Sequence, residues 1–546
     1  MGVASKTESL RSRLNYQPQE LAFGTSGRRG KVVDLTQLEV YLNALAELEY
    51  LQSLPLAEGG IKQGDPFYFA SDLRPSSSDF VSQEQGRGQI AQAIVAAITD
   101  AGMHPVNLGR IPTPALASYA LSQRKGSIMV TGSHIPFERN GYKTNSSRGE
   151  LLKEQEAPIN ERVKQVRHRL YEQPWDQSRF DQRGMLKSGP QALPEEHSEA
   201  RAAYIDRFTR FFAGSSLHGR RILVYQHSAV GRDLLVEILE KLGAQVLKGG
   251  RSETFVPIDT ENIDAAQLAV IQSLADEAAS GGPLHAVVST DGDSDRPLVL
   301  GVDEKTGRVQ FFGGDLVGMV VAEYLEADAV VVPISCNDAI DRGPLAAVVE
   351  PKTRIGSPFV IAGMEAALAK GKKRVCGWEP NGGFLTGSPI SRNGAVLQPL
   401  LTRDAGLPIL GALFAAEQAG LPLIDLFARL PRRFGRAALL KQFPRATALT
   451  IVARFSPPVP AGTIRKDLAH FFPPSSGFTA IERVDYTDGV RILFANGEVA
   501  HVRPSGNADE LRIYAVADTQ SRADAIAAMG IEEPGGILRS MEKAVL

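Results

Sequence analysis

Four short loops of this chain hold residues whose types and spacing could do chemistry, and the first two follow apolar runs. The first is Thr131-Gly-Ser-His-Ile-Pro-Phe-Glu-Arg-Asn-Gly-Tyr-Lys143, directly after Ile128-Met-Val130. Pro136 and Gly141 are expected to keep its later part out of regular structure. A strand ending in such a loop presents its hydroxyl at the rim of a sheet, where open α/β folds bind substrates. Ser133 is therefore a candidate nucleophile or phosphate carrier. The second loop, Ser289-Thr-Asp-Gly-Asp-Ser-Asp-Arg-Pro297, follows the apolar stretch Leu284-His-Ala-Val-Val288. Asp291, Asp293 and Asp295 alternate, so an extended loop brings their carboxylates to one point, where they need a hard cation such as Mg²⁺ or Ca²⁺. A calcium loop is excluded, because its sixth position is Arg296 where glycine is required and its twelfth is Val302 where glutamate is required. Mg²⁺, which completes its shell with water or phosphate oxygens, fits three aspartates.

The third loop is Gly377-Trp-Glu-Pro-Asn-Gly-Gly383. Glu379 and Asn381 place acceptors and a donor on flexible backbone, the equipment for gripping a polyol. The fourth, Arg503-Pro-Ser-Gly-Asn507, leaves a hairpin marked by Asn496-Gly497 between Arg491–Ala495 and Glu498–Val502. Arg503 offers a guanidinium fork to phosphate, and Ser505 with the loop amides offers an anion nest.

Taken in order, these loops resemble the four signature loops of the α-D-phosphohexomutase superfamily, and in particular bacterial phosphomannomutases and phosphoglucomutases. The family's Thr-Ala-Ser-His-Asn-Pro…Asn-Gly-x-Lys loop is matched by Thr131 to Lys143, and its Asp-x-Asp-x-Asp-Arg loop by Asp291 to Arg296. The sugar loop is matched loosely by Trp378 to Gly383, and the phosphate loop by Arg503 to Asn507. The amino-terminal Phe-Gly-Thr-Ser-Gly-x-Arg-Gly signature is present as Phe23 to Gly30.

The resemblance implies an isomerase that interconverts hexose 6-phosphate and hexose 1-phosphate by phosphoryl transfer. Ser133 would carry the phosphoryl group, with Mg²⁺ held between it and Asp291, Asp293 and Asp295. Arg503, Ser505, Gly506 and Asn507 would hold the substrate phosphate, and Glu379, Asn381 and Gly382 the sugar. Hexose 1,6-bisphosphate would be both intermediate and activator. Lys143 and His134 are the candidates for proton management beside Ser133, with Lys143 preferred and His134 orienting the loop. Arg296 would assist electrostatically. The amino-terminal motif gives the first-domain arginine role to Arg29, with Arg28 as the alternate.

Several positions depart from the family pattern. Gly132 stands for alanine and Ile135 for asparagine, Asn381 for serine and Gly383 for histidine, and Asn507 for threonine. The sugar-loop departures bear on which hexose is preferred. Glutamate with a small polar partner holds the 3- and 4-hydroxyls that glucose and mannose share, and does not read the 2-hydroxyl. Phosphomannomutase activity with phosphoglucomutase activity beside it is favoured, ahead of a phosphoglucomutase proper and of a phosphoglucosamine mutase. Two other classes compete: a phosphatase using the acidic loop with Ser133 incidental, and a non-catalytic sugar-phosphate binder. Retention of both Ser133 and the full aspartate triad opposes the second.

The elements that position these loops are those of an ordinary α/β protein. The 546 residues, at ~150 per domain, suggest three or four domains. Apolar residues make up 43% and charged residues 22%, enough for a sizeable core. With 60 basic and 62 acidic residues the formal charge is −2, so no field draws nucleic acid or an acidic membrane. Cys336 and Cys376 make no disulfide framework, which suits a reducing cytoplasm, and the amino terminus has no signal-peptide core. Hexose phosphates are the expected partners, and nothing sets an oligomeric state.

Residues 89–98 read as a helix, as do 234–242 after a strand at 221–225, and 329–333 reads as a strand. This alternation predicts parallel βαβ units. Gly86-x-Gly88-x-x-Ala91 is rejected as a dinucleotide site because polar residues precede it. The expectation is three similar mixed α/β domains (1–195, 196–305, 306–430) and a smaller α+β domain (431–546) around a central cleft. A helical insertion or linker is expected near 152–200, and a β-connection into the third domain at 301–314. Because a phosphoserine open to water hydrolyses, the last domain should swing toward the other three when ligand binds.

Overall fold

The computed structural model describes residues 8–24, 26–261, 263–505 and 509–546. Its first large sheet runs in the order Arg28–Lys31, Arg139–Ser146, Ser127–Val130, Pro66–Ser71, His104–Arg110. The last three are parallel, and Arg139–Ser146 returns antiparallel beside Ser127–Val130. The second sheet has the same plan. Gln245–Arg251, Arg221–His227 and Ala286–Thr290 are parallel, and Pro297–Val302 and Val309–Phe312 return antiparallel. In the third, Ala329–Val331 and Val375–Trp378 are parallel, and Phe384–Thr386 and Leu400–Asp404 are antiparallel. The fourth sheet, from Phe434–Lys441 to Glu510–Ala517, is antiparallel throughout.

Parallel βαβ units therefore describe only the inner strands. Each of the first three sheets ends its parallel run in a short return, and a return that short can join only antiparallel neighbours. The serine loop (131–138), the aspartate loop (291–296) and the sugar loop (379–383) are those three returns. The fourth loop likewise leaves Val499–Pro504 and enters Glu510–Ala517. Gly141 does not interrupt regular structure as expected. It lies inside Arg139–Ser146, where its N–H donates to Asn140 Oδ1 and its carbonyl accepts from the Thr131 N–H, so the irregular part of the serine loop is shorter than the sequence suggests.

Segment 152–200 is part of the first core. Ile159, Val163 and Val166 recur at helical spacing on Lys153–Tyr171 and are buried against Gln37–Ser53, and Phe180 and Leu186 close the same cluster. Segment 301–314 holds a turn and the strand Val309–Phe312, which pairs with Pro297–Val302. The expected edge at residue 305 thus falls inside one hairpin of the second sheet.

One apolar cluster runs through the first three sheets, from Tyr68 and Phe208 through Val224 and Val288 to Trp378, Phe414 and Phe427. The carboxyl-terminal sheet has a cluster of its own, built on Phe443, Ile464, Phe472, Ile492, Phe494, Ile513 and Leu538. No helix among the described residues is long and apolar enough to cross a membrane.

Candidate active site

Ser133 leaves the buried strand Ser127–Val130 with φ of +54°, a left-handed backbone that a residue other than glycine keeps only when its surroundings hold it. The holding groups are visible. The Ser133 N–H donates to Thr131 Oγ1 at 2.7 Å, and that hydroxyl donates to Asp72 Oδ2 at 2.8 Å. The Arg74 guanidinium is buried and donates to the carbonyls of Ser133 (3.0 Å), Pro136 (2.8 Å), Arg139 (2.9 Å) and Ile135. Its other face lies 3.8 Å from the Phe255 ring centre, a contact from the second sheet's unit. A Cβ at position 132 would stand 2.5 Å from Arg74 Nε, which is why glycine replaces alanine there.

The Ser133 hydroxyl donates to Asp291 Oδ2 at 2.8 Å, so two loops 158 residues apart meet at the reacting oxygen. Asp291, Asp293 and Asp295 are fully buried, and one carboxylate oxygen from each lies within 4.8 Å of the others. Asp291 Oδ1 accepts from the N–H groups of Asp295 (3.1 Å) and Arg296 (3.2 Å). Asp293 Oδ1 and Asp295 Oδ1 are buried without a hydrogen-bond partner. Two orphaned carboxylate oxygens beside a third carboxylate are a hard-oxygen set for a divalent cation, so the residues fit Mg²⁺. Burial, with Asp293 and Asp295 alongside, pushes the Asp291 carboxyl well above the usual range. Asp293 and Asp295 are buried equally, yet are held below it by cations: Lys143 at Asp293, and Arg403 with Lys143 at Asp295.

Lys143 points inward from Arg139–Ser146 and donates to Asp293 Oδ2 at 2.9 Å and Asp295 Oδ2 at 2.7 Å. Thr113, at the start of a helix of the first unit, donates its hydroxyl to Asp293 Oδ2 at 2.6 Å. His134 Nδ1 lies 3.4 Å from Ser133 Oγ. Burial, reinforced by the Arg296 charge, lowers its pKa well below the usual histidine value, so the imidazole is neutral near pH 7. Arg296 stands 3.6 Å from Asp295 and 3.9 Å from Asp291. Arg29 faces the same cluster: burial lowers its pKa to about 10 while Asp293 opposes the shift. Arg28 is elsewhere, buried on Glu47 at 2.5 Å with the Phe23 ring 3.8 Å away.

The sugar loop hangs from Trp378, which is fully buried and stacks on Phe384 at 5.7 Å between ring centres. Burying a side chain of that size stabilises the loop's stem by roughly 3 kcal/mol. Glu379 Oε2 accepts from Arg403 at 3.0 Å. Asn381 Oδ1 accepts from the Gly383 N–H at 2.9 Å, and its backbone carbonyl accepts from Thr260 at 2.9 Å. The Asn381 oxygen thus serves the loop, which leaves the polyol-gripping part of its expected role to the amide nitrogen. The Gly382 N–H closes the turn onto Glu379 O at 2.8 Å.

Arg503 is held by Asp488, Nε to Oδ1 at 3.3 Å, and the Ser505 N–H donates to Glu510 O at 2.9 Å. Gly506 and Asn507 lie outside the described residues. Sequence reasoning missed Asp72, Arg74, Thr113 and Arg403. Asp72-Leu-Arg74 follows the apolar stretch Phe67–Ala70 just as the other loops follow theirs, and that position was its signal. For Arg403 no comparable signal exists.

Three α/β units that bring Ser133, three convergent carboxylates and, through Arg403, Glu379 into one buried cluster, with an arginine loop on a fourth, define the site of a phosphoryl-transferring sugar-phosphate mutase. The family pattern "Phosphoglucomutase/phosphomannomutase, alpha/beta/alpha domain I" matches residues 20–169, and that family's C-terminal domain pattern matches residues 436–533. Over 511 residues, 93% of this chain and 98% of the relative, it is 38% identical to a phosphomannomutase of Sinorhizobium fredii. It is 36% identical over 508 residues to a phosphomannomutase of Salmonella muenchen, covering 92% of this chain and 93% of that one. A phosphoglucomutase/phosphomannomutase family structure from Burkholderia thailandensis shares the fold, with a TM-score of 0.65 over 97% of this chain and 98% of that one at 17% identity. The chain belongs to the phosphoglucomutase/phosphomannomutase family and is an intramolecular phosphotransferase.

Proposed function

We propose that this enzyme is a phosphomannomutase that also accepts glucose phosphates, working through phospho-Ser133 and a hexose 1,6-bisphosphate. The observation that carries the reading is the Ser133 hydroxyl set 2.8 Å from Asp291 in a strained, over-determined loop. The preference for mannose rests on the near full-length similarity to two phosphomannomutases. Two free, buried cysteines suit a cytoplasmic enzyme.

Asp291, Asp293 and Asp295 would hold Mg²⁺, which offsets charge on the transferring group and keeps it in line. Arg503 and Ser505 bind the phosphate the sugar already carries, and Glu379 holds the ring by its shared hydroxyls. The free 1- or 6-hydroxyl then attacks the phosphoryl on Ser133. A new P–O bond to the sugar forms as the Oγ–P bond breaks. Lys143 takes the attacking hydroxyl's proton and returns one to Ser133 Oγ as it leaves, and His134, its neutral ring 3.4 Å from that oxygen, orients the serine loop. Arg29 and Arg296 stabilise the charge that develops. The bisphosphate turns end for end, and its other phosphate returns to Ser133 by the same step reversed, so no phosphate is gained or lost. The carboxyl-terminal unit closes over the sugar during this exchange and keeps water from the phosphoserine.

Coupled assays on mannose, glucose and glucosamine 1-phosphates test the assignment. Mannose should give the highest kcat/KM and glucose should follow within about tenfold, since one hydroxyl's configuration distinguishes them. Labelled hexose 1,6-bisphosphate should phosphorylate Ser133. Glucosamine phosphate as best substrate, or turnover without labelled Ser133, would sink the reading.

A further inference from the structure

Arg403 is a buried cation that bridges Asp295 of the acidic loop and Glu379 of the sugar loop. Its side chain is 4% exposed, with Nε and Nη2 on Asp295 Oδ2 at 3.1 and 3.0 Å and Nη1 on Glu379 Oε2 at 3.0 Å. Arg403 lies on Leu400–Asp404, which is pinned on both sides. Thr402 donates to Glu150 of the first unit at 2.6 Å, and Asp404 accepts from Tyr204 and from the Gly406 N–H. The neighbouring strand Phe384–Thr386 pairs with it at Phe384 and Asp404, which brings position 383 against the arginine stem. A Cβ on Gly383 would stand 2.4 Å from Arg403 Cδ and 2.6 Å from Cγ. A side chain at 383 and a seated Arg403 therefore exclude each other.

We propose that Arg403 is a positioning residue that sets the sugar-gripping carboxylate of Glu379 at a fixed distance from the metal-loop carboxylate of Asp295, and that Gly383 exists to leave it room. A planar fork spans two carboxylates in a fixed geometry, whereas a lysine ammonium is a point charge that cannot hold both along defined directions. With Oδ2 of Asp295 occupied by Arg403 and Lys143, the orphaned Oδ1 is the oxygen left to face a cation. A small error in the distance between sugar grip and phosphoryl group is costly in transfer reactions, so one side chain fixing it acts on kcat/KM without touching substrate.

The proposal rests on the mutase reading, and the experiment separates the two. R403K and G383A are each measured for turnover of mannose 1-phosphate. In EDTA, where turnover stops, they are measured by calorimetry for binding of mannose 1-phosphate and of inorganic phosphate. Both variants should raise KM and weaken sugar-phosphate binding about tenfold or more, with inorganic phosphate affinity within about twofold of native, because the Arg503 grip is untouched. R403K/E379Q should be no more than about threefold worse than E379Q alone, since Arg403 acts through Glu379. Additive losses in the double variant, or a KM within about twofold of native in R403K and G383A, would overturn the proposal. Should R403K fail to fold, G383A carries the test, since it keeps every charge. Failure of the native enzyme to interconvert hexose phosphates would instead remove the functional reading.

Discussion

The first three units and the carboxyl-terminal unit are joined to their surroundings by different physics. The first three share one continuous apolar cluster, so displacing any of them exposes core surface. The fourth keeps its own core, and among the described residues a set of polar contacts ties it to the rest. Arg433, fully buried in the junction, forks onto Asp338 at 2.6 and 2.8 Å and reaches Asp518 and the Gly497 carbonyl, both at 2.6 Å. Asp488, the partner of Arg503, also accepts from the Ile355 N–H of the third unit at 3.0 Å. Hydrogen bonds of this kind can be exchanged for water or ligand with little net loss, whereas apolar contacts cannot. The chemistry follows the same division. Ser133, the aspartate triad and Glu379 belong to the fused part, which must hold reacting atoms still. Arg503, the phosphate grip of the proposed mechanism, belongs to the part with a core of its own, which that mechanism needs to open for a sugar to turn round.

S133A should lower turnover by at least about 10⁴-fold in a coupled assay while leaving hexose-phosphate binding in place. Substantial residual turnover would show that the fused part does not hold the reacting oxygen. R503A should act on binding, costing about 2–3 kcal/mol and so raising KM roughly 30- to 150-fold with kcat less affected. An unchanged KM would take the phosphate grip away from the separable part. R433A leaves Asp338 uncompensated and should loosen the junction, with kcat/KM down by about tenfold. Small-angle scattering would then show less compaction with saturating hexose phosphate than in the native enzyme. Equal compaction in both would make the junction incidental.

The smallest effect concerns acid. Burial lowers the pKa of both His227, in the second sheet, and His501, in the fourth, to about 4. Unfolding restores the ordinary value near 6.5, so between these values the unfolded chain binds more protons. The stability held by each neutral ring is complete above about pH 6.5 and is lost as pH falls toward 4. His501 bonds to the Asp488 carbonyl and His227 to that of Thr290, so each loss is local. In H501N, hydrogen exchange should show a flatter acid dependence in the carboxyl-terminal unit alone. A change spread through all four sheets would mean that the two parts unfold as one.

The loops and their stems were legible because both signals are local. An apolar run gives the strand, and Pro, Gly, Ser and Asp end it. What could not be read was anything settled by where a long side chain ends. Residue 305 reads as an edge until Val309–Phe312 is seen paired to Pro297–Val302. Residues 152–200 read as a helical insertion or linker; Lys153–Tyr171 is the helix, and Ile159, Val163 and Val166 place it in the first core. Arg28 and Arg29 are neighbours in the motif, yet strand alternation sends one to Glu47 and the other toward the triad.

By itself, then, the sequence determined the acidic triad beside Ser133, the class of reaction and the alternation of strands and helices. Each of these depends on residue type over a few neighbouring positions. Tertiary structure alone decided that Arg74 fills the space beside Gly132 and Arg403 the space beside Gly383. It also decided that three units share one apolar cluster while the fourth keeps a core of its own. Close packing and charge pairing act between atoms brought together by the fold, and the distance along the chain carries no record of them.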